Sequence, residues 1–249
     1  MPLTTQQLEQ YQRDGYAVGE RLLTEAELTG LRSEMDRVIA ALPAGARPEN
    51  IRGVHEASDF LMQVCLSERL VAIAEQILGP DPLLLSTYAI SKPPAEGLQV
   101  DWHQDAYYFA FSPMEIFTLW LAVDDSDRDN GCMRVVAGSH RGRVIHAHGY
   151  DDGWGRTTTL PLSLAGYDAR PAVDVELQAG AFSVHDPYIV HGSAPNRSNR
   201  RRCGITILYV TPRLRIDPAY DSPMKIEWTK TRLYHCSDRT GRTYHYPEV

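Results

Sequence analysis

The chain has 249 residues, a hydrophobic content of 43%, a charged content of 23% and a formal net charge of −7. Those proportions suffice for one large β domain or two small ones. The negative balance excludes a general attraction to nucleic acid or to anionic membrane surfaces, though not a local basic pocket.

The first part reads as helical. A short helix begins at Thr4 or Thr5 and stops at Asp14-Gly15. Thr24 followed by Glu27 forms a capping box. Leu28, Leu31, Met35, Val38, Ile39 and Leu42 then recur at helical spacing, until Pro43 and Gly45 end the run. A third helix starts at Ser67, buries Leu70, Ile73, Ala74, Ile77 and Leu78, and stops at Gly79-Pro80. From residue 83 the texture is β. Strands are expected at 83–91, 98–104, 116–123, 132–136, 173–177, 181–185, 189–191 and 203–211. About eight short strands without βαβ alternation argue for a sandwich or jelly roll. The connection 141–172, with Gly142, Gly149, Gly153, Gly155 and Gly166 beside Tyr150 and Trp154, is either a solvated insertion or a lid over a pocket. The tail 217–249 mixes Lys225, Lys230, Arg232, Arg239 and Arg242 with Trp228, Tyr234, Tyr244 and Tyr246. Packing across the barrel and a subunit contact are both open for it.

The four cysteines, Cys65, Cys132, Cys203 and Cys236, form no C-x-x-C pair and read as buried or idle thiols of a reducing compartment. The first residues carry neither a basic nor an apolar leader region, and the last do not form a peroxisomal address. A cytoplasmic protein without membrane or nucleic-acid partners is expected. No nucleophile elbow, P-loop or dinucleotide fingerprint is present.

The chemistry concentrates in Asp101-Trp102-His103-Gln104-Asp105. In an extended chain, residues i and i+2 share a face, so His103 and Asp105 project together if 98–105 is a strand. An imidazole nitrogen and a carboxylate oxygen suit Fe(II). Trp102 before the pair, with Tyr107, Tyr108, Phe109 and Phe111 after it, would give the site apolar walls. Tyr107, Tyr108 and Phe109 are the substrate-binding candidates. Of the nine histidines, His185 and His191 are the strand-borne candidates for a third ligand. Pro187 should break pairing after His185, whereas His191 follows the apolar run Tyr188-Ile189-Val190 and is favoured. His185 is expected to be packed or to support the site from behind. Two imidazoles and one carboxylate on one face of a metal match the non-haem Fe(II) oxygenases. An arginine downstream then suggests an organic dicarboxylate in the open positions, since a guanidinium holds a carboxylate bidentately. If a strand runs on from Arg202, its pleat places Arg202, Gly204, Thr206 and Leu208 on one face. Arg201 points away as a solvated charge, and Arg200 joins that face only if the strand starts earlier.

These stretches, with Ser91-Lys92-Pro93-Pro94, Asn130-Gly131-Cys132-Met133, Gly138-Ser139-His140 and His191-Gly192-Ser193, resemble the phytanoyl-CoA dioxygenase family of Fe(II)- and 2-oxoglutarate-dependent oxygenases. The resemblance runs roughly from residue 3 to 211. It implies a mainly β fold with flanking helices, a double-stranded β-helix (a cupin-like jelly roll). It also implies a single oxygenase domain over 1–249, with a helical flank at 1–80, a core at 83–211 and an extension at 212–249. By resemblance, His103, Asp105 and His191 bind iron and Arg202 binds the distal carboxylate of 2-oxoglutarate. Lys92, Trp120, Ser193 and Ser198 join the co-substrate pocket, although Lys92 as a surface charge and Trp120 as plain core are open readings. Halogenating relatives replace the carboxylate ligand by Gly or Ala. This chain keeps Asp105, which favours hydroxylation of a C–H bond in a small organic substrate, with consumption of O2 and release of succinate and CO2. The alternative is a cupin-like metalloenzyme that does not use 2-oxoglutarate and has no need of Arg202. The substrate and the oligomeric state are left open.

Overall fold

The computed structural model describes residues 2–150, 162–163, 168–169, 171–222, 228, 230–237 and 243–244. Its helices are α1 (Thr5–Asp14), α2 (Glu25–Ala40), α3 (Asp59–Cys65) and α4 (Glu68–Leu78). Its strands are β1 (Tyr16–Gly19), β2 (Ile51–Arg52), β3 (Leu83–Lys92), β4 (Val100–His103), β5 (Phe111–Ser112), β6 (Ile116–Ala122), β7 (Met133–Val135) and β8 (Gly149–Tyr150). They continue with β9 (Leu162–Ser163), β10 (Val173–Val175), β11 (Phe182–His185), β12 (His191–Ser193), β13 (Arg202–Val210), β14 (Arg215–Ile216), β15 (Leu233–His235) and β16 (Thr243–Tyr244).

The expected capping box forms on α2, and α1 carries a second one. Thr4 and Gln7 close α1, and Thr24 and Glu27 close α2, each threonine side chain accepting from the backbone N–H three residues on. The third expected helix is α4. Ser67 stands at its cap position without a side-chain hydrogen bond. Several short elements were not expected, α3 and β1 among them. The seven-residue α3 is too short to show a stripe, and Ser58 caps it by accepting from the Leu61 N–H. Strand β1 is four residues long and completes an edge.

The large sheet runs β1-β11-β6-β13-β3-β15-β16, with β2 also on β3, and the second sheet runs β10-β7-β12-β4. Their ladders are antiparallel, and the two sheets make the expected jelly roll. Every residue of β6 is buried because both faces of the large sheet are covered. Outward, Phe117, Leu119 and Leu121 of β6 and Ile205, Ile207 and Tyr209 of β13 pack with Leu28, Leu31 and Met35 of α2. Each fully buried side chain of this kind stabilises the fold by roughly 1.5–3 kcal/mol. Inward, Trp120 and Ala122 of β6 meet Met133 and Val135 of β7.

The tail packs on the barrel. Trp228 is buried against Phe109 and Phe111, and β15 pairs with β3. Lys225, Arg239, Arg242 and Tyr246 lie outside the described residues. So does half of the 141–172 connection whose role as a lid was left open, including Gly153, Trp154, Gly155 and Gly166. All four cysteines are free and buried. No helix among the described residues is long and apolar enough to cross a membrane.

Candidate metal centre

His103 and His191 face each other across the second sheet, as direct partners in the pairing of β4 with β12. The strand expected at 98–104 ends at His103, so the extension to residue 105 that a shared face required does not form. Gln104 remains extended, and Asp105 opens a 3-10 turn over Asp105–Tyr107. One extended residue between them is enough to bring the carboxylate round to the histidine side. The Asp105 Oδ1 lies 3.5 Å from His103 Nε2 and 3.7 Å from His191 Nε2. One ligating atom from each of the three residues falls within 4.8 Å of the others.

The protonation of this cluster follows from its hydrogen bonds. His103 Nδ1 lies 2.7 Å from the carbonyl oxygen of Asp101, and His191 Nδ1 lies 3.1 Å from that of Ile189. A carbonyl only accepts, so each Nδ1 carries a proton, and in the neutral ring a metal site requires each Nε2 keeps its lone pair. Burial, and then neighbouring His103, holds His191 well below the ordinary histidine range, which keeps its ring neutral. Burial alone would raise the Asp105 carboxyl, but positive charge at this cluster and hydrogen bonds offered from His103 and His185 hold it well below the usual carboxylate range, so the position favours a cation. In that tautomer the two Nε2 lone pairs and the Asp105 carboxylate converge on one point. Such a set is complete only with a cation, and two imidazoles with one carboxylate suit Fe(II).

The other end of the cavity is cationic. Arg202, at the start of β13, is buried, and its Nη2 donates to the Gly131 carbonyl at 2.8 Å and to Ser193 Oγ at 3.3 Å. Its buried Nε has no partner. Lys92, opposite Arg202 in the ladder, donates from Nζ to Ser193 Oγ at 2.7 Å and to the Ala194 carbonyl at 2.5 Å. No carboxylate hydrogen-bonds either cation among the described residues. Burial lowers Arg202 to about 10, while burial and then the Arg202 charge lower Lys92 to about 6. A desolvated guanidinium beside an amine that can take up a proton is a site for an anion, because a bound anion offsets the cost of burying both charges. Trp120 lies 5.4 Å from the Arg202 guanidinium. It comes that close because Gly204 has no side chain: a Cβ there would sit 2.0 Å from the indole.

The pleat expected for β13 holds, with Arg202, Thr206 and Leu208 lining the cavity. Arg201 faces away but is not a solvated charge; it is paired with Asp124 and Asp36. Arg200 pairs with Asp127 at 2.7 Å. Trp120, Ser193, Tyr108 and Phe109 line the cavity as expected, and Lys92 reaches it through Ser193. Two expected residues do not. Ser198 is spent on its own turn, with its hydroxyl donating to Asn196 Oδ1 at 2.8 Å and accepting from the Arg200 N–H. Tyr107 turns aside to stack on His148 at 4.2 Å.

Sequence reasoning missed Asn50, Arg52 and Tyr88, which wall the cavity from β2 and its neighbours, and Trp228, which reaches it from the tail. It also missed Thr118, whose hydroxyl donates to Asp105 Oδ2 at 2.8 Å. Gln104 points away from the site, as its place between the two ligands requires, and is fully buried. Its amide donates to the carbonyls of Val144 and Tyr188 and accepts from the His146 N–H.

Comparison with known proteins agrees with this geometry. The family model described as Phytanoyl-CoA dioxygenase (PhyH) matches residues 11–204. The peroxisomal phytanoyl-CoA dioxygenase of Rattus norvegicus is 27% identical over 232 residues, covering 83% of this chain and 68% of that protein. A probable alpha-ketoglutarate-dependent hypophosphite dioxygenase of Stutzerimonas stutzeri is 30% identical over 167 residues, 66% of this chain and 56% of that protein. Among solved structures, the apo form of the non-heme monooxygenase ThoJ superposes with a TM-score of 0.70 at 29% identity, covering 86% of this chain and 80% of that one.

Proposed function

Since the chain belongs to the phytanoyl-CoA dioxygenase family, we propose that His103, Asp105 and His191 hold its catalytic iron and that Arg202 and Lys92 hold the co-substrate. The enzyme is an Fe(II)- and 2-oxoglutarate-dependent dioxygenase of the hydroxylase type, with the whole chain acting as one oxygenase domain. The observation that carries the residue assignment is the pairing of three converging lone-pair donors with two buried cations lacking a carboxylate, in one cavity. When bound, iron with 2-oxoglutarate and O2 supplies the oxidising chemistry, yielding succinate, CO2 and an oxidised substrate.

The chain's own residues do the rest. The carbonyls of Asp101 and Ile189 fix the ring tautomers so that both Nε2 atoms offer lone pairs. The planar Arg202 group, with its free Nε, gives a carboxylate a directional partner, and Lys92 adds a point charge beside it. Phe109, Leu208 and Trp228 give the remaining wall an apolar surface. That surface excludes water and presents a C–H bond of a small organic substrate to the metal face. A cupin-like enzyme without 2-oxoglutarate leaves the two cations unexplained.

The test is Fe(II)-dependent conversion of 2-oxoglutarate to succinate, first alone and then across candidate substrates. Asp105→Ala is expected to abolish it, and turnover at the wild-type rate in that variant sinks the assignment. A substrate that stimulates succinate release defines the C–H bond attacked.

A further inference from the structure

The two oxygens of Asp105 have different surroundings. Oδ1 faces His103 and His191. Oδ2 faces the opposite way, towards the large sheet, where it accepts from Thr118 and lies 3.4 Å from His185 Nε2. His185 is 3% exposed, and neither of its ring nitrogens makes a formed hydrogen bond among the described residues. A polar ring buried without partners needs a reason, since an apolar ring of the same size would fill the space without that cost. Its ring centre is 4.6 Å from that of His191.

The strand register brings this about. His185 of β11 and Thr118 of β6 are direct cross-strand partners, so they leave the sheet side by side on its inner face. Asp105, in contrast, stands on a 3-10 turn and has no strand neighbours of its own. Its turn is tied by the Ala106 N–H to the Pro187 carbonyl, two residues past His185. A carboxylate on a turn has two freedoms that a metal site must remove, rotation about its Cα–Cβ bond and a switch from one ligating oxygen to two.

We propose that His185 is a positioning residue, whose Nε2–H joins the Thr118 hydroxyl on the outer oxygen of Asp105 and leaves only the inner oxygen to the metal. The inference rests on the reading of His103, Asp105 and His191 as the metal ligands. A small rotation of the ring turns the 3.4 Å contact into a hydrogen bond. Partners of this kind set ligand orientation, and losing one typically costs about 10- to 100-fold in metal affinity.

The experiment is anaerobic titration of the full chain with Fe(II), and with Co(II) as an optical probe, for wild type, His185→Phe, His185→Gln, Thr118→Val and Asp105→Ala. His185→Phe is expected to lower affinity about 10- to 100-fold and to reduce the Co(II) absorption coefficient, as a second carboxylate oxygen raises the coordination number. His185→Gln, which keeps an N–H donor, is expected to restore most of both, and the melting temperature of the metal-free His185→Phe protein should not fall. Thr118→Val strips the same oxygen of its other donor and should weaken binding in the same direction, which keeps the test open if His185→Phe does not fold. Wild-type affinity and spectrum in both His185→Phe and Thr118→Val overturn the proposal. So does a loss that tracks melting temperature and is not rescued by His185→Gln. If Asp105→Ala itself retains wild-type affinity, the ligand assignment has failed instead.

Discussion

Strand β13 presents two surfaces made from alternate residues of one stretch of chain. Ile205, Ile207 and Tyr209 turn outward into the helical layer, where they pack among apolar side chains and the Tyr209 hydroxyl donates to the Cys65 carbonyl. Arg202, Thr206 and Leu208 turn inward to the cavity, where a guanidinium nitrogen has no partner. The outer face lowers the free energy of the folded chain. The inner face raises it, and recovers the loss only when ligands arrive. Stability and function are thus separated by a single step along the backbone.

The sharpest way to break this contrast is a cavity on the outer face. Ile207→Ala, at a fully buried position, is expected to cost roughly 2–5 kcal/mol of unfolding free energy in a denaturant titration. The folded fraction should bind 2-oxoglutarate with wild-type affinity, and a loss of affinity there means the two faces are coupled. On the inner face, Arg202→Ala is expected to weaken 2-oxoglutarate roughly 100-fold, about 3 kcal/mol. Fe(II) affinity should stay within a few-fold, and unchanged co-substrate affinity would remove Arg202 from the site.

The smallest effect sharpens the contrast through protons. Lys92 sits at about 6 in the folded protein against an ordinary 10.5. Between those values the unfolded chain binds more protons than the folded one, so the ligand-free protein gains stability as pH rises through that window. Lys92→Met should flatten the slope. An incoming carboxylate favours the ammonium form, so 2-oxoglutarate binding at pH 8 is expected to take up as much as one proton. Calorimetry in two buffers of different ionisation enthalpy reads this directly, and a binding enthalpy independent of buffer would show that Lys92 does not face the anion.

The outer face is the legible one. Apolar residues at helical spacing and threonines three residues ahead of Gln7 and Glu27 carry α1 and α2 in their own local sequence. The strands are visible because burial on both faces makes them near-continuous apolar runs. The His-x-Asp pair was legible as well, although for a reason that needed amending: Asp105 reaches His103 round the start of a turn rather than along a strand. What was not legible depends on register between distant strands. Nothing in the sequence around His185 says that Thr118 stands beside it, and nothing around Trp228 says that it ends against Phe109. Ser198 carries the converse lesson: its neighbours match a motif, but its hydroxyl is consumed by the turn it belongs to.

Gln104 binds the segment that leads into the 141–172 connection, through Val144 and His146, while sitting between His103 and Asp105 in the chain. Past the connection, β10 is fastened into the second sheet beside β7. Anyone wishing to graft a different connection between these anchors, to alter which molecules are accepted, would begin from two secured ends. The clamp also works in reverse: a graft that pulls on Val144 tugs the peptide joining both ligands, and spoiled iron retention would be the first symptom of a badly chosen length.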